Sequence, residues 1–168
     1  MQTADEIDAR RHEARKRELV ERILPLVEEL LEAAGGYVHL KVEDILQNAG
    51  LSRSTFYRYF KDKNDLLLAL SEPALREIRT AALRTWELGP DVTFGQFEAE
   101  LYKTMEAYRP HVALMSALVE VSTYDARVKQ LFAGFFEDLR KAIAAHIRLE
   151  QKRGMVRPGI DADAAAGW

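Results

Sequence analysis

The sequence predicts an all-α fold, with a small module of short helices followed by a larger bundle of long ones. Three observations carry this expectation. Apolar residues recur at three- and four-residue spacing through most of the 168 residues. No stretch shows a strand signal of any strength. Glycine and proline gather at a few points, Gly35-Gly36, Gly89-Pro90 and Gly154 to Pro158. Segments between interruptions are short up to residue 65 and long beyond it, so the expected domains are 1–65 and 66–168.

Taken in order, Thr3 and Glu6 fit a capping box, with Asp5 and Glu6 suited to the positive end of a helix. Leu19, Ile23, Val27, Leu30, Leu31 and Ala34 then trace one helical stripe. Pro25 should kink or weaken it, and Gly35-Gly36 should end it. Val42, Ile45, Leu46 and Ala49 mark a second, short helix closed by Gly50. Ser52 opens a third, and Asp62 or Asn64 a fourth that meets Pro73 and runs to about Trp86. Leu88 to Gly95 reads as a loop. Phe97, Leu101, Met105 and Tyr108 give the next helix, ended by Arg109-Pro110, and Val112 to Val121 is compact and apolar. A long stripe from Val128 to Ile147 follows, and Asp161 or Asp163 could cap one more helix.

Composition excludes several classes. There is no cysteine, which removes disulfides and thiol catalysis and suits a reducing cytoplasm. The N-terminus lacks the apolar core of a secretory signal, and the longest apolar runs, such as Leu66 to Leu70, are too short to span a bilayer. A soluble cytoplasmic protein with no membrane partner is expected. A net charge of −3 argues against coating nucleic acid non-specifically, while leaving room for local basic patches. His12, His39, His111 and His146 are scattered, without metal-ligand spacing, nucleophile elbow or phosphate-cradling glycine loop. No catalytic residue, metal or cofactor is expected, and His146 with Glu150 reads as a surface or interface pair.

The stretch AGLSRSTFYRYFKDK, residues 49–63, carries the most information. With residues about 100° apart, Phe56 and Phe60 share one side of the third helix. Ser54, Thr55 and Arg58 lie opposite, and Tyr57 and Tyr59 fall on the flanks. Such a helix has an aromatic anchor below and a ridge of short hydroxyls and one arginine above. Short residues allow close approach to base edges in a DNA major groove, and Arg58 can read guanine or grip phosphate. Ser52 suits the N-cap, Gly50 the left-handed turn, and Val42 to Ala49 the first helix of a helix-turn-helix.

The longer segment VEDILQNAGLSRSTFYRYFKDKNDLLLAL resembles the signature of the TetR family of bacterial transcriptional regulators, through Ile45, Ala49, Gly50, Ser52, Thr55, Phe56, Tyr57, Phe60, Lys63 and Leu66. RGMVRPGIDADAAA is more weakly similar to the loop before that family's eighth helix. The resemblance implies a ligand-responsive regulator, more usually a repressor, that binds a near-palindromic operator in double-stranded DNA as a homodimer. It also implies DNA contacts from Arg53, Ser54, Thr55, Tyr57, Arg58 and Tyr59, with Lys63 holding phosphate at the start of the fourth helix. Lys41 replaces the usual Ser or Thr at the start of the second helix and could bind a phosphate. Glu43 sits where some members place a base-reading cation. Family members usually continue through one or two further helices, so the resemblance implies that part of the dimer interface lies beyond Trp168.

Arg10, Arg11, Arg15, Lys16, Arg17 and Arg22 alternate with Glu13, Glu18 and Glu21. This reads first as a solvated helix with i, i+4 charge pairs. Supplementary DNA-backbone contact by Arg10, Arg11 or Arg15 is the alternative. In the larger bundle, Trp86, Phe97, Met105, Tyr108, Met115 and Phe136 are the candidates to line a cavity for a small apolar or aromatic effector. Two other readings stay open: the same fold without a ligand, and a helical small-molecule-binding or enzymatic bundle that does not act on DNA.

Overall fold

A computed structural model describes residues 4–86, 88–89 and 92–167. The expected Thr3 cap and the Pro90-Asp91 part of the loop lie outside the described residues. Those described form α1 (Ala4–Ala34), α2 (Val42–Ala49), α3 (Arg53–Tyr59), α4 (Lys63–Trp86), α5 (Phe94–Tyr108), a 3-10 turn (Arg109–His111), α6 (Val112–Ser122), α7 (Ala126–Lys152) and α8 (Ala162–Ala166). The fold is all-helical, as the periodicity requires. Among the described residues no helix is long and apolar enough to cross a membrane.

Helix α1 continues through Pro25, and α4 through Pro73. Each proline removes one N–H, but both helices bury an apolar face on either side of it, and tertiary packing outweighs the local cost. Gly35 and Gly36 then take φ of +70° and +143°, which ends α1 without strain. Lys41 has no acceptor to cap α2, so Asp44 serves from inside the helix: its carboxylate accepts from the Lys41 N–H at 3.0 Å. At the start of α4, Asp62 accepts from the Asp65 N–H at 2.7 Å. In α5, Thr93 and Gln96 cap each other, with the Gln96 side chain accepting from the Thr93 N–H at 2.8 Å.

One buried cluster runs from the N-terminal helices into the bundle. It joins Ile23, Val27 and Leu31 of α1 to Ile45 of α2 and to Phe56 and Phe60, and continues through Leu66, Leu67 and Leu70 of α4 to Leu114, Leu118 and Val121 of α6 and Val128 of α7. The expected division at residue 65 falls inside α4, and the core passes across it. A second, small cluster seats Ala162 and Ala166 of α8 against Ala144 of α7, flanked by Ile143 and Ile147. Arg140 and Arg148 of α7 both reach the Asp163 carboxylate and fix α8 there.

Two expectations are corrected. Among the described residues, Arg11, Arg15, Lys16, Arg17 and Arg22 do not form the expected ion pairs with Glu13, Glu18 or Glu21. Such exposed pairs gain only about 0.3–0.5 kcal/mol, little against the side-chain entropy they cost. His146 does not pair with Glu150, which instead accepts from Arg153 at 2.7 Å. The imidazole stands edge-on to Trp86 at 5.7 Å, and its Nδ1 is buried without a hydrogen-bond partner.

Candidate nucleic-acid interface

Helix α3 owes its position to its two phenylalanines. Phe56 and Phe60 are buried to within 1% and pack on each other with ring centres 5.4 Å apart. Gly50 supplies the reversal between α2 and α3 at φ +62°, a value that costs any residue with a Cβ. Ser52 caps α3: its hydroxyl accepts from the Thr55 N–H at 3.1 Å and lies 2.9 Å from the Ser54 hydroxyl and 2.8 Å from that of Thr55. The three hydroxyls make a connected polar cap at the leading end of the helix.

The anchor leaves Arg53, Ser54, Tyr57 and Arg58 exposed. Tyr57 stands 53% exposed with its ring edge-on to Phe56 at 5.2 Å, so packing of its base holds the phenol outward. Arg58 makes no ion pair among the described residues, while the Arg53 guanidinium is drawn back to Glu43 of α2 at 2.5 Å. Lys41 is exposed at the start of α2.

Three of the expected DNA-facing residues sit differently from the rest. Thr55 and Tyr59 are half-buried and turned toward α1, where they line a cleft with Arg15 and Arg22. Tyr59 also lies with its ring 4.9 Å from that of His12. A seven-residue helix presses its flank on a neighbour, and a wheel drawn from α3 alone cannot see α1. Lys63 is turned inward. Its ammonium donates to the carbonyls of Tyr37 at 2.7 Å and Leu40 at 2.8 Å, and sits 4.0 Å from the Tyr37 ring centre. Burial lowers its pKa, against the opposing pull of Glu120. Two of its three N–H donors are thus taken by the protein.

Those carbonyls belong to the loop between α1 and α2, which the rest of the molecule holds from a second side. Glu120, at the end of α6, accepts from the backbone N–H of Tyr37 and of Val38, each at 3.0 Å. The Tyr37 hydroxyl donates to Asn64 at 3.0 Å, and the Asn64 amide donates to Asp125 at 3.0 Å. The Arg127 guanidinium beside Asp125 holds that carboxyl far below its ordinary range. Burial, with carboxylates nearby, pushes the Tyr37 phenol well above its ordinary value. The loop leading into the helix-turn-helix is therefore fastened to the α6–α7 corner. Sequence reasoning missed this network, and its one visible sign was a tyrosine in a glycine-bounded turn.

A second tie between module and bundle is His111, buried at the start of α6. Its Nδ1 lies 2.5 Å from a Glu28 carboxylate oxygen on α1, and its Nε2 lies 3.6 Å from Glu77 on α4. The hydrogen bond to Glu28 is the main reason its pKa is raised, with burial acting against it and Glu77 adding to the rise.

The six candidate effector residues sit in three different surroundings. Trp86 and Phe97 meet edge-on at 6.1 Å, joined by His146. Met115 is in the core and Tyr108 packs against it. Met105 and Phe136 are 53% and 48% exposed. A groove of about 480 Å³ between α4 and α7 is lined instead by Leu75, Arg79, Leu131 and Phe135, among others. Among the described residues no group of three His, Asp or Glu side chains could hold a metal ion.

An all-helical chain with a seven-residue helix set behind a glycine turn, anchored inward and polar outward, is a helix-turn-helix protein. The model for bacterial regulatory proteins of the TetR family matches residues 28–70, which supports membership of that family. The chain is 27% identical over 140 residues to the HTH-type transcriptional regulator EthR of Mycolicibacterium smegmatis, covering 83% of this chain and 64% of that protein. It is 30% identical over 134 residues to EthR of Mycobacterium tuberculosis H37Rv and of Mycobacterium bovis, covering 79% of this chain and 61% of each relative. The chain thus spans less than two thirds of the length of these relatives.

Proposed function

We propose that the protein is a cytoplasmic transcriptional regulator that inserts α3 into the DNA major groove. The observation that carries this reading is the two-sided α3, whose buried Phe56 and Phe60 present Ser54, Tyr57 and Arg58 outward. Arg58 and Ser54 then address base edges, while Tyr57, Lys41 and Arg53 approach phosphates. Thr55 and Tyr59 serve on the α1 flank of the same surface. Lys63 positions the α1–α2 loop and offers phosphate its remaining N–H. The unit of binding is a homodimer whose two copies of α3 read the halves of a near-palindromic operator.

Regulation on this reading is repression relieved by a small apolar or aromatic effector in the 66–168 bundle, and not an enzymatic reaction. Trp86 and Phe97 form the part of the candidate lining that is assembled around an aromatic group, and the unpartnered Nδ1 of His146 offers a polar handle beside them. An effector acts only through a difference in its affinity for the DNA-competent and DNA-incompetent states. The α6–α7 corner and α4 both hold the loop before α2, so movement of either reaches the recognition helix.

The test is fluorescence anisotropy with duplex DNA flanking the protein's own gene, titrated over a salt series beside a scrambled duplex. Tight binding that weakens steeply with salt and prefers the flanking DNA is expected. Equal binding to both duplexes with no response to salt overturns the reading and favours a helical bundle that does not act on DNA.

A further inference from the structure

We infer that α1 carries a second DNA-contacting surface, a strip of Arg11, Arg15 and Arg22 alongside α3 that grips the phosphate backbone. The inference rests on the DNA-binding reading above and extends it to a helix outside the helix-turn-helix. At about 100° per residue, these three side chains fall within about 40° of one another on one face of α1. All three are exposed and none makes an ion pair among the described residues. Glu18 shares this face and stands four residues before Arg22, the favoured order for pairing, yet the two do not pair.

The strip adjoins the recognition helix directly. Arg15, Glu18 and Arg22 of α1 and Thr55 and Tyr59 of α3 line a cleft of about 270 Å³, floored by Leu19. The position of α1 there is fixed by packing. Leu19 is buried in the core, the His12 ring lies 4.9 Å from that of Tyr59, and the Lys16 ammonium stands 5.5 Å from the Phe60 ring centre. A helix so held presents its cations at a constant distance from α3. When α3 enters the groove, a bordering phosphate strand passes on the flank marked by Thr55 and Tyr59.

The charge balance selects the partner. The chain is net negative at −3, so a strip of three arginines against one glutamate is a local feature. Guanidinium forks match phosphate oxygens bidentately, and the adjoining hydroxyls of Thr55 and Tyr59 supply further donors. An acidic protein surface would meet the same charges but has no reason to share the flank of α3. Continuity with that helix favours DNA.

The experiment is the anisotropy salt series on the intact chain, comparing wild type with the exposed double variant Arg15→Gln/Arg22→Gln and with Glu18→Gln. Circular dichroism and the thermal midpoint verify folding. With a salt slope of about −0.9 per phosphate neutralised, the double variant should lose about 1.8 from the slope of log K against log salt, equally on flanking and scrambled DNA. Glu18→Gln should bind more tightly at low salt, and this opposite response cannot come from misfolding. Wild-type binding with an unchanged slope in the folded double variant overturns this inference alone. A wild-type chain without salt-dependent binding overturns the regulator reading, and this inference with it.

Discussion

Replacing Glu120 by alanine removes both acceptors that α6 extends to the loop before α2, and the two lost bonds differ in worth. Val38 is 67% exposed, so water takes the place of the carboxylate there at little cost. Tyr37 is only 3% exposed, and its N–H bond to Glu120 is part-buried. A hydrogen bond to a charged acceptor is worth about 1.5–3 kcal/mol, so Glu120→Ala should cost about 2 kcal/mol, nearly all of it at Tyr37. That corresponds to roughly a 30-fold rise in the opening equilibrium of the loop. Backbone amide hydrogen exchange resolves this residue by residue. The Tyr37 amide should exchange roughly 30-fold faster in the variant, with amides in the middle of α7 unaffected. Glu120→Gln keeps one carbonyl oxygen and should fall between. If the Tyr37 amide exchanges at the same rate in wild type and Glu120→Ala, α6 does not hold the loop, and the route from bundle to DNA through this corner is wrong.

The remaining predictions address the anchor, the inward lysine and the buried histidine. Phe56→Ala should cost about 3–5 kcal/mol, a large share of the roughly 5–15 kcal/mol that holds a protein folded, and lower the urea midpoint sharply. Arg58→Ala should leave that midpoint alone while discrimination against mismatched operator bases drops by about 1–3 kcal/mol. Lys63→Met separates two roles: if its work is on the Tyr37 and Leu40 carbonyls, the thermal midpoint falls by the equivalent of about 2 kcal/mol. Its phosphate contact gives a second readout: the salt slope of DNA binding should fall by about 0.9 as well. For His111, the folded pKa lies above the ordinary 6.5, chiefly through Glu28. Its contribution is therefore fully present below pH 6.5 and lost as pH rises through the folded value. The thermal midpoint of wild type should decline across that window relative to His111→Gln, and a constant difference between the two at all pH values would contradict the ion pair.

How far the sequence could be read depended on the range of each interaction. Gly50, Ser52, Phe56 and Phe60 form a local pattern, whose meaning follows from the 100° step and the left-handed turn; the structure places all four as read. Thr55 and Tyr59 were harder because their side of α3 is decided by α1, more than thirty residues earlier. The effector lining was read from residue type, and type does not give direction: Phe135 is 8% exposed and Phe136 is 48% exposed, one helical step apart. Glu120 carries no local sign at all, since a lone glutamate near a helix end is ordinary. Its partner lies 83 residues away.

That separation also orders events during synthesis. The loop that sets the approach of α2 and α3 receives its last two backbone hydrogen bonds only when residue 120 has emerged and α6 has docked. Until then α3 can form on Phe56 and Phe60, but the turn before α2 is held from one side alone, by Lys63 and Asn64 of α4. A nascent chain stalled before α6 would thus carry α3 behind a loop held on one side only, and on the regulator reading its hold on DNA would mature with the bundle.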